Sequence, residues 1–247
     1  MESDRLTMQN LEEKEDCASR GRFITLEGLE GVGKTTNRQR IESQLHAAGI
    51  DFIGTREPGG TDVGEQLRDL VLHTKGSMQA ETELLVMAAA RLEHVAQLIE
   101  PALQRGQWVL CDRYLDASIA YQGAGRELGT ERVMQLHTLM GLSLQPDITI
   151  LLDMPVEEGL ARMAARGKPD RIESEAVSFF ERARAAYLAQ AQKHPERICV
   201  IDASDSVDAV GMRVAQAIDT FIATHRASVA VSGTDSVSAS VSATKPR

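Results

Sequence analysis

The amino-acid sequence predicts an α/β fold in which a five-stranded parallel sheet carries helices on both faces. Short apolar runs alternate with longer segments whose apolar residues recur close to a 3.6-residue period, as in 79–104. Strands that alternate with helices need crossover connections, which make neighbouring strands parallel and place helices on both faces. The predicted strands are Arg22–Glu27, Asp51–Thr55, Trp108–Asp112, Ile148–Asp153 and Ile198–Asp202.

Helices are predicted between and after these strands. Their expected spans are 35–48, 62–73, 79–104, 130–140, 173–193 and 207–224, with a further helical stretch over 159–165. Ligands of such sheets bind beyond the carboxyl ends of the strands. The motifs that carry chemistry are therefore expected at that edge.

The two ends of the chain differ from the middle. Residues 1–20 are polar and acidic, and from residue 226 the sequence is rich in Ser, Val, Ala and Thr without aromatic residues. Segments of this composition bury too little apolar surface to offset the entropy lost on ordering. We expect one folded domain over residues 21–225, with a disordered extension at 1–20 and a disordered Ser-rich tail at 226–247.

Composition and charge exclude several classes of protein. The formal net charge of −9 over 247 residues argues against nucleic acid or an anionic membrane as a partner. The three cysteines are far apart and form no C-x-x-C pair, which favours the reducing cytoplasm over a disulfide framework. The chain has no run of about 18 apolar residues, and its first twenty residues lack the apolar stretch of a signal peptide.

The most informative motif is the segment 28–35, which matches the phosphate-loop pattern G-x-x-x-x-G-K-T between a predicted strand and a predicted helix. Its glycines let the backbone N–H groups turn inward onto phosphate oxygens, and the following helix adds its positive N-terminus. In this P-loop NTPase pattern the lysine reaches the outer phosphates and the threonine hydroxyl coordinates Mg²⁺. The predicted ATP-binding residues are Gly28, Leu29, Glu30, Gly31, Val32, Gly33, Lys34, Thr35 and Thr36.

Charged residues at other strand ends extend this site. Asp112 ends an apolar strand, where a phosphate-loop enzyme holds Mg²⁺, and Arg113 follows it. Arg56 follows the second strand, and the planar guanidinium of such arginines suits a second phosphate. Arg162 and Arg166 are four residues apart in a helical stretch and share a face. The segment 159–172 is therefore predicted to be a basic lid that excludes water.

Together these motifs resemble thymidylate kinase, a nucleoside monophosphate kinase family of the P-loop class. The resemblance covers residues 21–225, and it is strongest to the bacterial subtype, which has an acidic residue in the phosphate loop and catalytic arginines in the lid. The matching segments are 28–36, Arg56-Glu57-Pro58-Gly59-Gly60, Asp112-Arg113-Tyr114, Ser118, Ala120-Tyr121-Gln122-Gly123, and the lid residues Arg162, Arg166 and Asp170-Arg171.

The resemblance implies a transfer of phosphate from Mg·ATP to dTMP, which gives dTDP on the way to dTTP, and a homodimer formed by helices. Arg56 and Arg113 would hold the dTMP phosphate. Arg91 would form hydrogen bonds with the edge of the thymine base, and Tyr121 would pack beside the deoxyribose. The Glu57–Pro58 peptide is expected to be cis. The implied catalytic residues are Glu30, Lys34, Arg113, Arg162 and Arg166; the implied substrate-binding residues are Arg56, Glu57, Pro58, Met87, Arg91, Arg113, Ser118, Tyr121 and Gln122; and Thr35 and Asp112 are the expected metal ligands.

One position departs from the family pattern and keeps other functions open. The family usually has Phe or Tyr three or four residues before the arginine that matches Arg91, whereas this chain has Met87 and Ala88. The thioether of Met87 can pack on the base instead, but a kinase of dUMP or of several deoxynucleotides remains an alternative. A GTP-binding switch is a further alternative, although the chain has no Asn-Lys-x-Asp motif. A non-catalytic nucleotide-binding scaffold would not require all of these charged residues.

Overall fold

The computed structural model describes residues 20–165 and 169–238 and contains the predicted sheet. All neighbouring strands run parallel, in the order β2-β3-β1-β4-β5. β1 is central, so the chain segments that follow β1 and β3 lie side by side at the carboxyl edge, where Leu26 is in register with Asp112. The strands are β1 (Phe23–Glu27), β2 (Phe52–Arg56), β3 (Trp108–Asp112), β4 (Ile148–Asp153) and β5 (Ile198–Asp202).

Helices cover both faces of this sheet, as predicted. They are α1 (Lys34–Ala47), α2 (Asp62–His73), α3 (Ala80–His94), α4 (Glu100–Gln104), α5 (Leu115–Ser118), α6 (Thr130–Leu139), α7 (Val156–Ala164), α8 (Val177–Lys193) and α9 (Val207–Ser238). Two π-helical segments, Val95–Ile99 and Ile119–Gly125, follow α3 and α5. No helix within the described ranges combines the length and apolar character needed to cross a membrane.

Two apolar clusters hold the layers together. On one face of the sheet, Ile41 and Leu45 of α1 pack in one cluster with Val214 and Ile218 of α9, and all four side chains are fully buried. On the other face, a second cluster joins Phe23 and Val109 of the sheet to Ile99 and Leu103. Each such side chain contributes roughly 1.5–3 kcal/mol by burial. Buried apolar side chains therefore cover both faces of the sheet that carries the site.

The structure differs from the sequence-based elements in three places. The predicted helix 79–104 is divided into α3, a π segment and α4, because Pro101 lies at the start of α4 and lacks the N–H for a helical bond to the preceding turn. Residues 115–125 are helical, although their glycines gave no helical pattern. The backbone of α9 continues to Ser238, past the predicted helix end at residue 224.

Candidate active site

The phosphate loop joins β1 to α1 and adopts a backbone that only glycine accommodates. Gly31 and Gly33 have φ angles of +77° and +89°, a region that costs other residues free energy. A Cβ on Gly31 would lie 2.0 Å from the carbonyl oxygen of Gly159 in α7. The N-terminus of α1 has no side-chain cap and no acidic residue in its first turn. Its N–H groups and positive dipole are therefore available to an anion.

Lys34 lies over this loop. Its ammonium group donates to the carbonyl oxygens of Gly28 at 3.0 Å and Leu29 at 2.7 Å, and it lies 3.8 Å from Glu30 Oε2. Burial, and then the positive charge of Arg113, lower the pKa of Lys34. The loop carbonyls thus hold the ammonium group beside the helix N-terminus, where it can meet phosphate oxygens.

Arg113 connects the end of β3 to the phosphate loop. Its φ angle is +71°, an uncommon conformation for a residue with a side chain. Its guanidinium donates to Gly28 O at 3.0 Å and to Glu30 Oε1, and it lies over the ring of Tyr121 at 4.8 Å. Burial is the largest single effect and opposes its charge, but Glu30 and then Tyr121, Tyr187 and Asp112 together raise the pKa of Arg113 well above its ordinary value. The cation is therefore permanent and firmly placed.

A cavity of about 240 Å³ lies beyond the carboxyl ends of β1, β2 and β3. The phosphate loop forms one side, and Arg56, Pro58 and Arg113 face it from the strand ends. Met87, Leu72 and Ile172 add an apolar wall. The remaining lining residues are Glu30, Gly31, Gly33, Lys34, Thr35, Glu57, Arg68, Asp112, Ala117, Tyr121, Gln122, Asp170 and Glu173. A cavity lined by both cationic groups and apolar side chains suits a phosphorylated nucleoside.

Asp112 fits the role of a metal ligand. Its Oδ1 is buried and has no hydrogen-bond partner in the described part of the chain, which is costly for an anionic oxygen. Asp112 and Thr35 both line the cavity. No cluster of three or more His, Cys, Asp or Glu among the described residues forms a metal cage. Mg²⁺ needs only a few protein oxygens when nucleotide phosphates and water supply its other ligands.

Comparisons with known proteins identify the family. The family model described as thymidylate kinase matches residues 26–214. The chain is 54% identical over 192 residues to a thymidylate kinase of Bordetella petrii, covering 78% of this chain and 92% of the relative. It is 52% identical over 191 residues to a thymidylate kinase of Pseudomonas putida, covering 77% and 91%. The crystal structure of thymidylate kinase from Ehrlichia chaffeensis superposes with a TM-score of 0.65 at 31% identity, covering 81% and 99%.

The chain belongs to the thymidylate kinase family. The structure gathers most of the residues that the family resemblance named around one cavity. The Glu57–Pro58 peptide is cis, as expected. Leu29 and Val32 of the loop instead pack into the apolar core, and Thr36 is exposed on α1. The side chains of these three residues do not line the cavity.

Arg56 lies at the rim of the cavity, and its NH2 group is 2.8 Å from Glu65 Oε2. Glu65 Oε1 also accepts a hydrogen bond from the backbone N–H of Gly60. Arg68 of α2 donates to Pro58 O at 2.9 Å and lines the same cavity. This family member therefore has a third cation, besides Arg56 and Arg113, beside the predicted acceptor phosphate.

Arg91 is buried behind the cavity wall, with a relative exposure of 1%. It donates to Glu57 Oε2 at 2.6 Å, Ser118 Oγ at 3.0 Å and Tyr114 O at 2.8 Å, and it lies 2.6 Å from His137 Nε2. Neither Arg91 nor Ser118 lines the cavity. In this arrangement they hold the loop of Glu57 in place, and their contact with the base remains a prediction.

The lid residues separate into two groups. Arg162 is exposed and donates to Ala203 O at 3.2 Å and Ser204 O at 3.4 Å, away from the cavity. Arg166 lies outside the described residues. Arg171 instead packs inward, where it donates to Val71 O at 2.6 Å and to Glu83 Oε2 at 2.7 Å.

Two buried carboxylates of the site were missed by the sequence analysis. Glu27, at the end of β1, accepts from Tyr187 Oη and from the Tyr114 N–H, each at 2.7 Å. Burial, followed by the nearby Asp116, raises the pKa of Glu27 to about 7. Glu83 is fully buried on α3. A glutamate that ends an apolar strand beside a phosphate loop was the available signal for Glu27, whereas Glu83 belongs to no motif.

Proposed function

We propose that this protein transfers the γ-phosphoryl group of ATP to dTMP with Mg²⁺, giving ADP and dTDP for dTTP synthesis. The observation that carries the proposal is a single cavity that joins a phosphate loop to a second set of arginines and an apolar wall. A phosphate loop and a second group of arginines around one cavity suit a donor and an acceptor that are both nucleotides. The family relationship supports thymidylate as the acceptor.

The residues act by position and charge. The acceptor is a phosphate oxygen, which is already ionised near neutral pH, so no strong general base is required. Lys34 and Arg113 neutralise phosphate charge, and Glu30 holds Arg113 in place. Bound Mg²⁺, held by Thr35 and Asp112, would neutralise charge on the β- and γ-phosphates. Arg162 and Arg166 are proposed to join the reacting phosphoryl group when nucleotide binds, as in the bacterial subtype.

The acceptor site favours a deoxynucleotide. Arg56, Arg68 and Arg113 line the cavity together with Tyr121 and Gln122, and the Arg113 guanidinium lies over the Tyr121 ring. The hydroxyl of Tyr121 donates to Glu30 Oε1 at 3.1 Å, which holds its ring in place. The family resemblance puts this ring beside the deoxyribose, where a 2′-hydroxyl would crowd it. Met87 supplies the apolar surface for the base in place of an aromatic ring.

A coupled ADP-release assay tests this function. With Mg·ATP as donor, we expect turnover of dTMP to exceed that of dUMP, dCMP, dGMP and dAMP at equal concentrations. Comparable turnover of several acceptors would show relaxed base choice at Met87 and replace dTMP by a broader substrate class. Absence of turnover with every acceptor, despite ATP binding, would refute the kinase proposal.

We also propose a homodimer in the cytoplasm. Leu85 and Leu92, seven residues apart on α3, are exposed by 56% and 40%, and Val63 and Leu70 repeat this spacing on the neighbouring α2. Apolar stripes of this kind are typical of helix–helix interfaces. Cys111 and Cys199 are free, which suits a reducing compartment.

A further inference from the structure

Glu83 is a fully buried carboxylate that lies behind the cavity wall at Gln122. Gln122 donates from Nε2 to Glu83 Oε1 at 2.8 Å, and Arg171 donates to Oε2 at 2.7 Å. Arg126 donates from Nε to both carboxylate oxygens at 3.2 Å. Glu83 does not line the cavity, but Gln122 and the segment around Arg171, residues 170, 172 and 173, do. One carboxylate therefore supports two parts of the cavity wall.

This carboxylate is held in its charged form. Burial alone would favour the neutral acid, but hydrogen bonds from Arg126 and Gln122 and the charge of Arg126 bring the pKa of Glu83 below its ordinary value. An ionised carboxylate only accepts hydrogen bonds. Any group that forms a hydrogen bond with Glu83 must therefore be the donor.

The charge of Glu83 fixes which way the Gln122 amide points. The amide must present its NH₂ group to the carboxylate, because the opposite orientation would place two acceptor oxygens against each other. The amide oxygen Oε1 is then left without a hydrogen-bond partner among the described residues, although Gln122 is only 1% exposed. An unpaired buried acceptor is costly. Because Gln122 lines the cavity, a bound substrate can supply the missing donor.

We propose that Glu83 is a positioning residue for base selection, because it locks the Gln122 amide with its oxygen free to accept a ring N–H from the substrate. Thymine and uracil carry such a donor at N3, whereas cytosine presents a lone pair there and would be repelled. This inference rests on the proposed kinase function and names the edge of the base that the site reads. A site built to accept a hydrogen bond rejects a base that lacks the donor.

The test compares acceptors in Glu83→Gln. The variant side chain can donate or accept, so the Gln122 amide becomes free to turn its NH₂ group toward cytosine N3. We expect the ratio of kcat/KM for dTMP over dCMP to fall at least tenfold, with competitive inhibition constants used where dCMP turnover is too slow. The dTMP over dUMP ratio should stay within twofold, because both bases carry the same imide. A loss of packing alone would not separate these two ratios.

Glu175→Gln is the matched control. It is the same substitution on the other carboxylate bound by Arg126, at 2.5 Å from NH1, and it leaves the contact between Glu83 and Gln122 intact. We expect both ratios to stay at the wild-type values. Gln122→Ala provides a second route if Glu83→Gln does not fold, and it should lower the dTMP over dCMP ratio alone.

The outcomes separate this inference from the kinase proposal. An unchanged dTMP over dCMP ratio in folded Glu83→Gln, or in Gln122→Ala, would overturn the role of Glu83 while the kinase proposal stands. Equal losses for all three pyrimidine acceptors would also overturn it. Wild-type protein without turnover of any acceptor would overturn both. A further fall in the ratio when Gln122→Ala is added to Glu83→Gln would contradict action through that amide.

Discussion

Two aspartates end the strands on either side of β1, at the same edge of the sheet, yet their surroundings differ. Asp153 at the end of β4 is bound by Arg184, whose Nε and NH2 donate to its two oxygens at 2.8 Å each. Asp112 at the end of β3 keeps a buried oxygen without a partner in the described chain. The sequence alone treats both as strand-end carboxylates. Only the neighbouring side chains distinguish the ion-paired Asp153 from Asp112, the proposed metal ligand.

The substitution Asp112→Asn tests this difference. We expect the Mg²⁺ concentration for half-maximal activity to rise at least tenfold, because a neutral amide binds a hard cation more weakly than a carboxylate. Asp153→Asn is the control and should lower the melting temperature while leaving the Mg²⁺ requirement unchanged. Steady-state rates measured over a range of free Mg²⁺ give both values. Equal Mg²⁺ requirements in the two variants would remove Asp112 from the metal site.

Glu27 makes the stability of the folded protein depend on pH. Its pKa rises from 4.5 to about 7 in the folded protein, so the folded state binds more protons than the unfolded state between these values. The contribution of Glu27 to the free energy of unfolding is therefore fully present below about pH 4.5. It decreases by about 3 kcal/mol as pH rises through 7. Burial, Asp116, Arg113, Tyr187 and the Tyr114 N–H set this shift.

Urea unfolding at several pH values between 5 and 8 measures the effect of Glu27. In Glu27→Gln the decrease contributed by this carboxyl should disappear, so the variant gains stability relative to wild type as pH rises. Glu158→Gln, at an exposed position on α7, should follow the wild-type curve. A parallel pH dependence in Glu27→Gln and wild type would show that Glu27 does not titrate in this range.

At the scale of elements, the sequence predicted best where burial follows a simple period. All five strands lie within one residue of their predicted bounds, because buried parallel strands are short continuous apolar runs bounded by polar residues. The segment 115–125 was missed because Gly123 and Gly125 lower helix propensity. Contacts override that propensity: a Cβ on Gly125 would lie 2.6 Å from the ring of Phe179 on α8, so only glycine allows this approach.

The phosphate loop and α7 are in direct backbone contact, which makes Gly31 a junction between elements. Gly31→Ala places a Cβ 2.0 Å from Gly159 O and forces a side chain into a positive φ. We expect the KM for ATP to rise at least tenfold and the melting temperature to fall. Gly49→Ala is the matched control, because Gly49 has a φ of +68° but nothing within 4 Å of its Cβ.

Activity assays and thermal unfolding of both variants decide the point. Gly49→Ala should lose only the stability cost of its backbone conformation, about 1 kcal/mol, and keep the wild-type KM for ATP. If Gly31→Ala showed the same small loss with an unchanged KM, the contact with α7 would have no part in shaping the phosphate loop.

For the whole molecule, the sequence predicted the side of the sheet that carries the site but not how the wall behind it is held. Phosphate-loop and strand-end residues are recognisable because their chemistry needs fixed spacing. The network of Glu83, Arg126 and Arg171 joins α3, the loop before α6 and residues after α7, which are far apart in sequence. Single charged residues on separate helices carry no pattern, so only the fold reveals that they meet.

The exposed apolar stripes of α2 and α3 form the proposed dimer interface. Leu85 and Leu92 lie on the same helix as the cavity residue Met87. A second copy of the protein that covers this stripe would therefore also hold the cavity wall at Met87 in place. In Leu85→Glu with Leu92→Glu, two charges would enter the proposed interface and their desolvation would oppose association. We expect light scattering coupled to size-exclusion chromatography to give a dimer for wild type and a monomer for the variant, with a raised KM for dTMP. Val207→Glu, at a residue 62% exposed at the start of α9, should remain dimeric. A monomeric wild type, or a double variant that stays dimeric, would show that another surface, or none, mediates association.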